Sequence, residues 1–233
     1  MDMCDHEMTL LVESCTTVEG CGAWVSTVAD LWRVSQDIEA SWLSIMNNLD
    51  AQNSMAAVAT AGHYNDPDLL QVGNYGLTEV EWRTMMTMWC LTNAPLFIST
   101  DLRSLSSRPE VLSILSNEEV LDLNSFTNRQ GQRLGAANDT GTELWAKPLE
   151  SNKIAFAVLN RGVQNASRVV NLRSIGPRVG LPSADRYLIR DLWRRTDVGV
   201  YTGVYKAIVR SHEAAVFSLS AAHASHFSSG GQL

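Results

Sequence analysis

The chain has 233 residues, of which 45% are hydrophobic and 18% charged, and its formal net charge is -7 at pH 7. This length and apolar content are sufficient for a buried core, whereas the acidic balance argues against a nucleic-acid partner. No apolar run is long enough to cross a membrane, and no basic-then-apolar signal segment follows Met1, so we expect a globular protein that does not span a membrane.

The first part of the chain alternates short apolar runs with helical patterns. A continuous apolar run at residues 8–12 predicts a strand buried on both faces, with polar residues at its carboxyl end. Apolar residues recur at helical spacing from Ile38, which predicts a helix there. Thr78 and Glu81 have the spacing of a capping box, which predicts a second helix that runs to about Thr92.

The same alternation continues to Asn124. Residues 94–99 have the composition of a buried strand, and two further capping-box pairs follow it. These pairs are Ser107 with Glu110 and Ser116 with Glu119. Alternating strands and helices with polar residues after each strand are typical of a parallel βα architecture. Only about four such strands are present, and a closed barrel needs eight. The sequence therefore predicts part of a larger enzyme or an open half-barrel.

The stretch from Gly62 to Thr78 is the least suited to a core. It places Asp66 and Asp68 on either side of Pro67, followed by glycines and asparagines that favour a turning loop. Such a loop either caps the next helix or presents carboxylates to a polyhydroxylated ligand or a metal.

Beyond Asn124 the pattern changes to short β-type runs separated by Gly, Asn, Pro and Ser. The runs are residues 143–147, 153–159, 168–172, 187–193, 204–209 and 214–219. They predict an antiparallel sheet domain over residues 125–233, after a βα domain over residues 1–124. The Ser- and Gly-rich tail from His223 is expected to fray.

The four cysteines, at positions 4, 15, 21 and 90, lack the spacing of a metal site. Cys15 and Cys21 could pair or remain free, and the apolar helical surroundings of Cys90 predict a buried free thiol. Two N-glycosylation sequons, which begin at Asn138 and Asn165, are weak hints of a secretory route.

Several of these stretches, in this order, resemble glycoside hydrolase family 27, the melibiase-type α-galactosidases. The matching stretches are residues 32–42, 65–78, 94–96, 101–103, 117–124 and 190–193. The resemblance implies that roughly the last four strands of a (β/α)₈ barrel precede an antiparallel β-sandwich. It also implies a retaining glycosidase that cleaves terminal α-linked galactose without a metal or an organic cofactor. For the complete enzyme it implies a secreted, lysosomal or vacuolar location and allows a homodimer.

Carried over residue by residue, the resemblance assigns Asp37 as the general acid/base. It assigns Arg33, Asp68, Cys15 and Leu69 to sugar binding. A purely structural interpretation is that Asp37 is a helix-start carboxylate and that Arg33 pairs with it on the surface.

The catalytic nucleophile is not identified in this sequence. The family carries it on an earlier strand in a Lys-x-Asp context, and Asp2 lies too close to the strand at residue 9 to leave room for a crossover helix. We therefore expect the chain alone to hydrolyse poorly or not at all. Thr16 and Thr17 stand where many members have an acidic or aromatic residue. An α-N-acetylgalactosaminidase and an inactive sugar-binding fragment therefore remain alternatives.

Overall fold

The computed structural model describes residues 9–13, 15–22, 24–124, 129–135 and 137–222. The chain divides into two compact units, residues 1–116 with 124–130 and residues 117–123 with 131–233. The predicted domain boundary after Asn124 stays a prediction. Met8, Asp2, Cys4 and the tail from His223, on which predictions were made, lie outside the described residues.

The first unit is built on a parallel sheet of three strands in the order β1-β2-β3. Its strands and α-helices are β1 (Leu11–Val12), β2 (Leu31–Arg33), α1 (Trp42–Ser54), β3 (Tyr64–Asp66), α2 (Glu79–Leu91) and α3 (Pro109–Leu115). Thr78 and Glu81 cap α2 reciprocally, as predicted, because each side chain accepts the other residue's backbone N–H. Helix α2 ends at Leu91, with Thr92 as its C-cap, also as predicted.

Two strand predictions in this unit were wrong in detail. Strand β1 is not buried on both faces: it lies at the edge of the sheet, and Leu11 is 46% exposed. Residues 94–99 form no regular strand. A single parallel bridge joins Ile98 to Leu70, and Phe97 and Ile98 are nearly half exposed. Both segments were predicted to be buried because apolar composition alone cannot show whether a neighbouring strand covers them.

Helix starts were also placed imprecisely. Helix α1 begins at Trp42 and not at Ile38, because the Ser41 side chain caps it by accepting from the backbone N–H of Ser44. Helix α3 has Arg108 as its N-cap and Pro109 in its first turn, so Ser107 does not cap it.

The N-cap of the next helix lies one residue after the predicted one. Asn117, not Ser116, caps α4 (Glu118–Leu121) through the backbone N–H of Val120. The stretch predicted to turn throughout from Gly62 instead contains strand β3.

The second unit is a β-sandwich. Its remaining elements are β4 (Gln132–Arg133), β5 (Thr142–Pro148), β6 (Ile154–Asn160), β7 (Ala166–Asn171), α5 (Ile175–Arg178), β8 (Arg186–Asp191), β9 (Thr196–Thr202), β10 (Val204–Val209) and β11 (Ala214–Ala221). Six strands form one antiparallel sheet in the order β4-β5-β6-β11-β8-β9, and β7 pairs with β10 in a second. All six predicted runs are strands; β4 and β9 were missed.

One apolar core lies between these two sheets. Phe156 and Phe217 stack in it at 5.1 Å between ring centroids, and Val170 and Val209 contribute from the smaller sheet. The alternation of buried and exposed residues along β10 shows that one face of this sheet packs inward. Among the described residues, no helix has the length and apolar character needed to span a membrane.

Candidate active site

The site forms at the carboxyl edge of the parallel sheet in the first unit. Arg33 is the last residue of β2, and it lies opposite Asp66, the last residue of β3. Because parallel strands end at the same edge, the loops that follow them emerge side by side. Those loops carry Asp37 after β2 and Asp68 after β3.

Arg33 joins the two loops. Its Nη2 lies 3.2 Å from Asp37 Oδ1 and 2.5 Å from Asp68 Oδ2. The side chains of Arg33 and Asp68 are only 14% and 10% exposed, whereas that of Asp37 is 95% exposed. One guanidinium group therefore holds a buried carboxylate on one side and a solvent-facing carboxylate on the other.

The Asp68 carboxylate is held from several directions. Its Oδ2 also accepts from Ile38 N at 2.9 Å, and its Oδ1 accepts from Leu69 N at 2.7 Å. The backbone at Asp68 has a positive φ of 82°, which a non-glycine residue rarely adopts. Trp89 Nε1 donates to Asp68 O at 2.9 Å, and Asp66 Oδ1 accepts from Asp68 N at 2.8 Å. These contacts stabilise the unusual backbone and fix the carboxylate.

Asp66 is a buried carboxyl group beneath this site. Burial raises its pKa above the ordinary value, and the hydrogen bond from Asp68 N and the positive charge of Arg33 act in the opposite direction. Asp66 has a structural role, because its Oδ1 orients the backbone that presents Asp68.

Two buried amides connect the loops to the rest of the unit. Asn48, on α1, donates to Gln36 O at 3.1 Å and to Pro67 O at 2.9 Å, and so ties both loops to one helix. Asn65 accepts from Trp32 Nε1 at 2.7 Å and donates to Met55 O and to Gln130 Oε1, both at 2.8 Å.

Two cavities meet at Asp37. One, of about 350 Å³, is lined by Glu13, Arg33, Ser35, Gln36 and Asp37. The other, of about 440 Å³, extends over the start of α1 and includes Thr16 and Asn47 in its lining. A carboxyl group that opens onto both cavities can exchange a proton with a group bound at their junction. No cluster of three or more metal-binding side chains occurs within the described residues.

The structure brings three of the five predicted site residues into direct contact, namely Arg33, Asp37 and Asp68. Leu69 follows Asp68 directly in the chain and is 40% exposed. Cys15 is different: it is fully buried and forms a disulfide with Cys21, and its backbone N donates to Arg33 O at 2.7 Å. Its side chain thus has no surface for a ligand in this structure. Cys90 is buried and is not part of a disulfide, as predicted.

Sequence reasoning missed three contributors to the site. Glu13 lines the smaller cavity, and its position at the end of a predicted strand was a usable signal. Asp66 was noted in its loop as a capping or ligand-presenting carboxylate, but its role in holding the backbone of Asp68 was not predicted. The role of Asn48 had no sequence signal, because a polar residue in a helical pattern is ordinarily a solvent-facing one.

A parallel βα sheet with acidic residues at its carboxyl edge, followed in the chain by an antiparallel β-sandwich, fits the class that the sequence predicts, a βα-barrel glycoside hydrolase. Residues 16–126 match the family model described as alpha galactosidase A. Residues 139–219 match the model of the alpha galactosidase C-terminal beta sandwich domain. The chain belongs to glycoside hydrolase family 27, the melibiase-type α-galactosidases.

Curated relatives agree with this assignment. The chain is 34% identical over 203 residues to an α-galactosidase of Oryza sativa subsp. japonica, a match that covers 87% of this chain and 46% of the relative. It is 43% identical over 142 residues to the α-N-acetylgalactosaminidase of Mus musculus, covering 59% of this chain and 34% of the relative. The chain thus spans about half the length of the α-galactosidases it matches.

Solved structures show the same fold. α-Galactosidase I from Mortierella vinacea superposes with a TM-score of 0.79 at 23% identity, covering 90% of this chain and 58% of the other. A family 27 β-L-arabinopyranosidase from Geobacillus stearothermophilus superposes with a TM-score of 0.83 at 21% identity, covering 96% of this chain and 52% of the other. The predicted fold class, part of a (β/α)₈ barrel followed by an antiparallel β-sandwich, is confirmed.

Proposed function

We propose that this chain supplies the acid/base side of the active site of a retaining α-galactosidase, which cleaves terminal α-linked galactose from galactosides. The observation that carries the proposal is the contact of Arg33 with both Asp37 and Asp68 at the carboxyl edge of the sheet. The plain alternative, a surface ion pair, accounts for the exposed Asp37 but not for the buried guanidinium that holds a second, buried carboxylate.

In the proposed mechanism Asp37 donates a proton to the glycosidic oxygen as the bond to the leaving group breaks. A carboxylate nucleophile forms a glycosyl-enzyme from the opposite face, and Asp37 then removes a proton from the attacking water. Retaining enzymes place the two carboxyl groups about 5 Å apart. Arg33 and Asp68 fix the loop that carries Asp37, and with Leu69 they are the proposed contacts to the sugar.

We assign the nucleophile to no residue of this chain. Glu13 shares the smaller cavity with Asp37, but the family resemblance places the nucleophile on an earlier strand. Glu13 is therefore the matched control for Asp37: it is a second carboxylate in the same cavity and has no proposed chemical step.

The function is tested in two arms. The isolated chain, assayed with an aryl α-galactoside, should turn over poorly or not at all, because the covalent route needs the nucleophile. A chimera that joins the amino-terminal part of the Oryza enzyme to this chain should hydrolyse the same substrate. In the chimera Asp37→Asn should abolish turnover and Glu13→Gln should leave most of it. Turnover by the isolated chain, or an active Asp37→Asn chimera, would refute the assignment.

A second candidate function is α-N-acetylgalactosaminidase. The mouse relative with that name is 43% identical over 142 residues, whereas the Oryza α-galactosidase is 34% identical over 203 residues. Thr16 is a small residue in the lining of the larger cavity, where an acetamido group would need room. Competition between the aryl α-galactoside and the aryl α-N-acetylgalactosaminide for the chimera distinguishes the two activities. Sugar binding without turnover in both arms would instead support a non-catalytic fragment.

We also propose a secreted, lysosomal or vacuolar location for the complete enzyme. The Cys15–Cys21 disulfide supports it, because such bonds persist in oxidising compartments. Homodimer formation stays a prediction.

A further inference from the structure

The fold of the second unit places the two sequons next to each other. The hydroxyl of Thr140, the third residue of the first sequon, lies 3.4 Å from the backbone oxygen of Ser167, the third residue of the second. The two triplets are 27 residues apart in sequence. The turn that precedes β5 therefore lies against strand β7, on one surface of the β-sandwich.

Asn138 has the geometry of a modifiable side chain. Its Oδ1 accepts from Thr140 Oγ1 at 2.7 Å and N at 3.2 Å, and from Thr142 Oγ1 at 2.8 Å and N at 3.0 Å. Residues 137–140 are exposed, and no described residue pairs with Asn138 Nδ2. The amide oxygen is thus held inside the turn, and the amide nitrogen is left for solvent.

The four hydrogen bonds also affect reactivity. An amide nitrogen is a weak nucleophile because its lone pair is delocalised into the carbonyl group. Donors on Oδ1 stabilise the charge that this oxygen gains when Nδ2 loses a proton. One of those donors is the hydroxyl group that defines the sequon.

Asn165 lacks this arrangement. Its Oδ1 accepts from Ser211 N at 3.2 Å. The next two residues, Ala166 and Ser167, are paired in register with Val209 and Ile208 of β10. No hydrogen bond joins Ser167 to Asn165 among the described contacts. Of the two sequons, only the first folds back on its own asparagine.

We propose that Asn138 carries an N-linked glycan. Nδ2 attacks the anomeric carbon of an oligosaccharide held on a lipid diphosphate. The N–C bond forms, the bond from carbon to the phosphate oxygen breaks, the Nδ2 proton is released, and the lipid diphosphate leaves.

Two features outside the sequon agree with this modification. The Cys15–Cys21 disulfide suits the oxidising compartment in which sequons are modified. The strand pair beside the turn exposes apolar side chains, with Val169 63% and Ile208 75% exposed. A hydrophilic glycan bordering such a surface would reduce its tendency to associate.

For the test, the 233-residue chain is expressed behind a secretion signal in a yeast host. Total cell extract and medium are pooled, so that the result does not depend on secretion. Enzymatic removal of N-glycans should shift the mobility of the wild-type chain. Peptide mass spectrometry should then find Asn138 converted to Asp by the deglycosylating amidase.

Asn138→Asp is the decisive variant, because it keeps the Oδ1 acceptor of the turn while removing the nitrogen. Its mobility shift on removal of N-glycans should be smaller than that of the wild type by one glycan. Asn165→Asp is its matched control and should retain the glycan on Asn138. An unmodified Asn138 peptide, in cells that glycosylate a secreted reporter, would overturn the proposal. So would an Asn138→Asp chain with the same glycan shift as the wild type.

Discussion

Asp68 and Asp37 contact the same nitrogen of Arg33, yet their replacement by asparagine should have opposite consequences. Asp68→Asn should destabilise the first unit strongly. Asp37→Asn should leave its stability nearly unchanged and abolish catalysis in the chimera. The difference follows from burial, since the side chain of Asp68 is 10% exposed and that of Asp37 is 95% exposed.

The expected cost at Asp68 follows from its three donors. Arg33 Nη2, Ile38 N and Leu69 N all point at this carboxylate, so an amide group would place its own donor against one of them. Removing one partner of a buried ion pair costs about 3–5 kcal/mol. In the variant, Arg33 keeps its contact with Asp37 and is partly hydrated. We therefore expect a loss of stability of about 3 kcal/mol, near the lower end of this range. An exposed pair such as Arg33–Asp37 contributes about 1 kcal/mol or less.

Differential scanning calorimetry of the wild-type chain and both variants measures this difference. For a chain of this size, roughly 2–4 °C of melting temperature corresponds to 1 kcal/mol. We therefore expect Asp68→Asn to lower the melting temperature of the chain by about 6–12 °C. Asp37→Asn should lower it by less than about 4 °C. Equal shifts for the two variants would refute the reasoning from burial.

Three further predictions concern the support of the site. Asn65→Asp keeps the acceptor for Trp32 but loses both donated hydrogen bonds, so urea unfolding should show a loss of at least about 2 kcal/mol. Asp66 has a raised pKa, so its folded state binds the proton more tightly than the unfolded chain. Its contribution to stability therefore becomes unfavourable as pH rises through the folded-state pKa. Asp66→Asn should gain stability relative to the wild type as pH rises above the ordinary pKa of an aspartate, and a difference that stays constant during this rise would contradict the assignment. Gly76 has a φ of 103°, and a methyl group added there would contact Ala40 O. Gly76→Ala should therefore lower the free energy of unfolding by roughly 1–3 kcal/mol and reduce turnover of the chimera. Unchanged melting and turnover would show that the loop yields to the added methyl group.

The β-domain was the part most readily predicted. Its six apolar runs contain enough β-branched and aromatic residues to identify strands one by one, and all six are strands in the structure. Strand β9 (Thr196–Thr202) was missed because it contains Gly199 and is largely exposed at the edge of the sheet. Its pairing with β8, and not its own composition, makes it a strand.

The βα unit was predicted less accurately at its margins. The capping box at Thr78 was correct because both of its hydrogen bonds are local, within one helical turn. The start of α1 was placed too early because apolar spacing continues through Ile38, while the Ser41 cap sets the actual beginning. The difference matters for function, since Asp37 lies in a loop several residues before the helix and not directly at its start.

The sequence by itself determined the class of fold, the family and the residue types of the site, because these depend on local patterns and ordered motifs. Only the tertiary structure decided which carboxylate is buried and which is exposed. Arg33 and Asp68 are 35 positions apart in sequence and meet only because β2 and β3 pair in parallel. The burial of each carboxylate is then set by the packing around it, which no local pattern encodes.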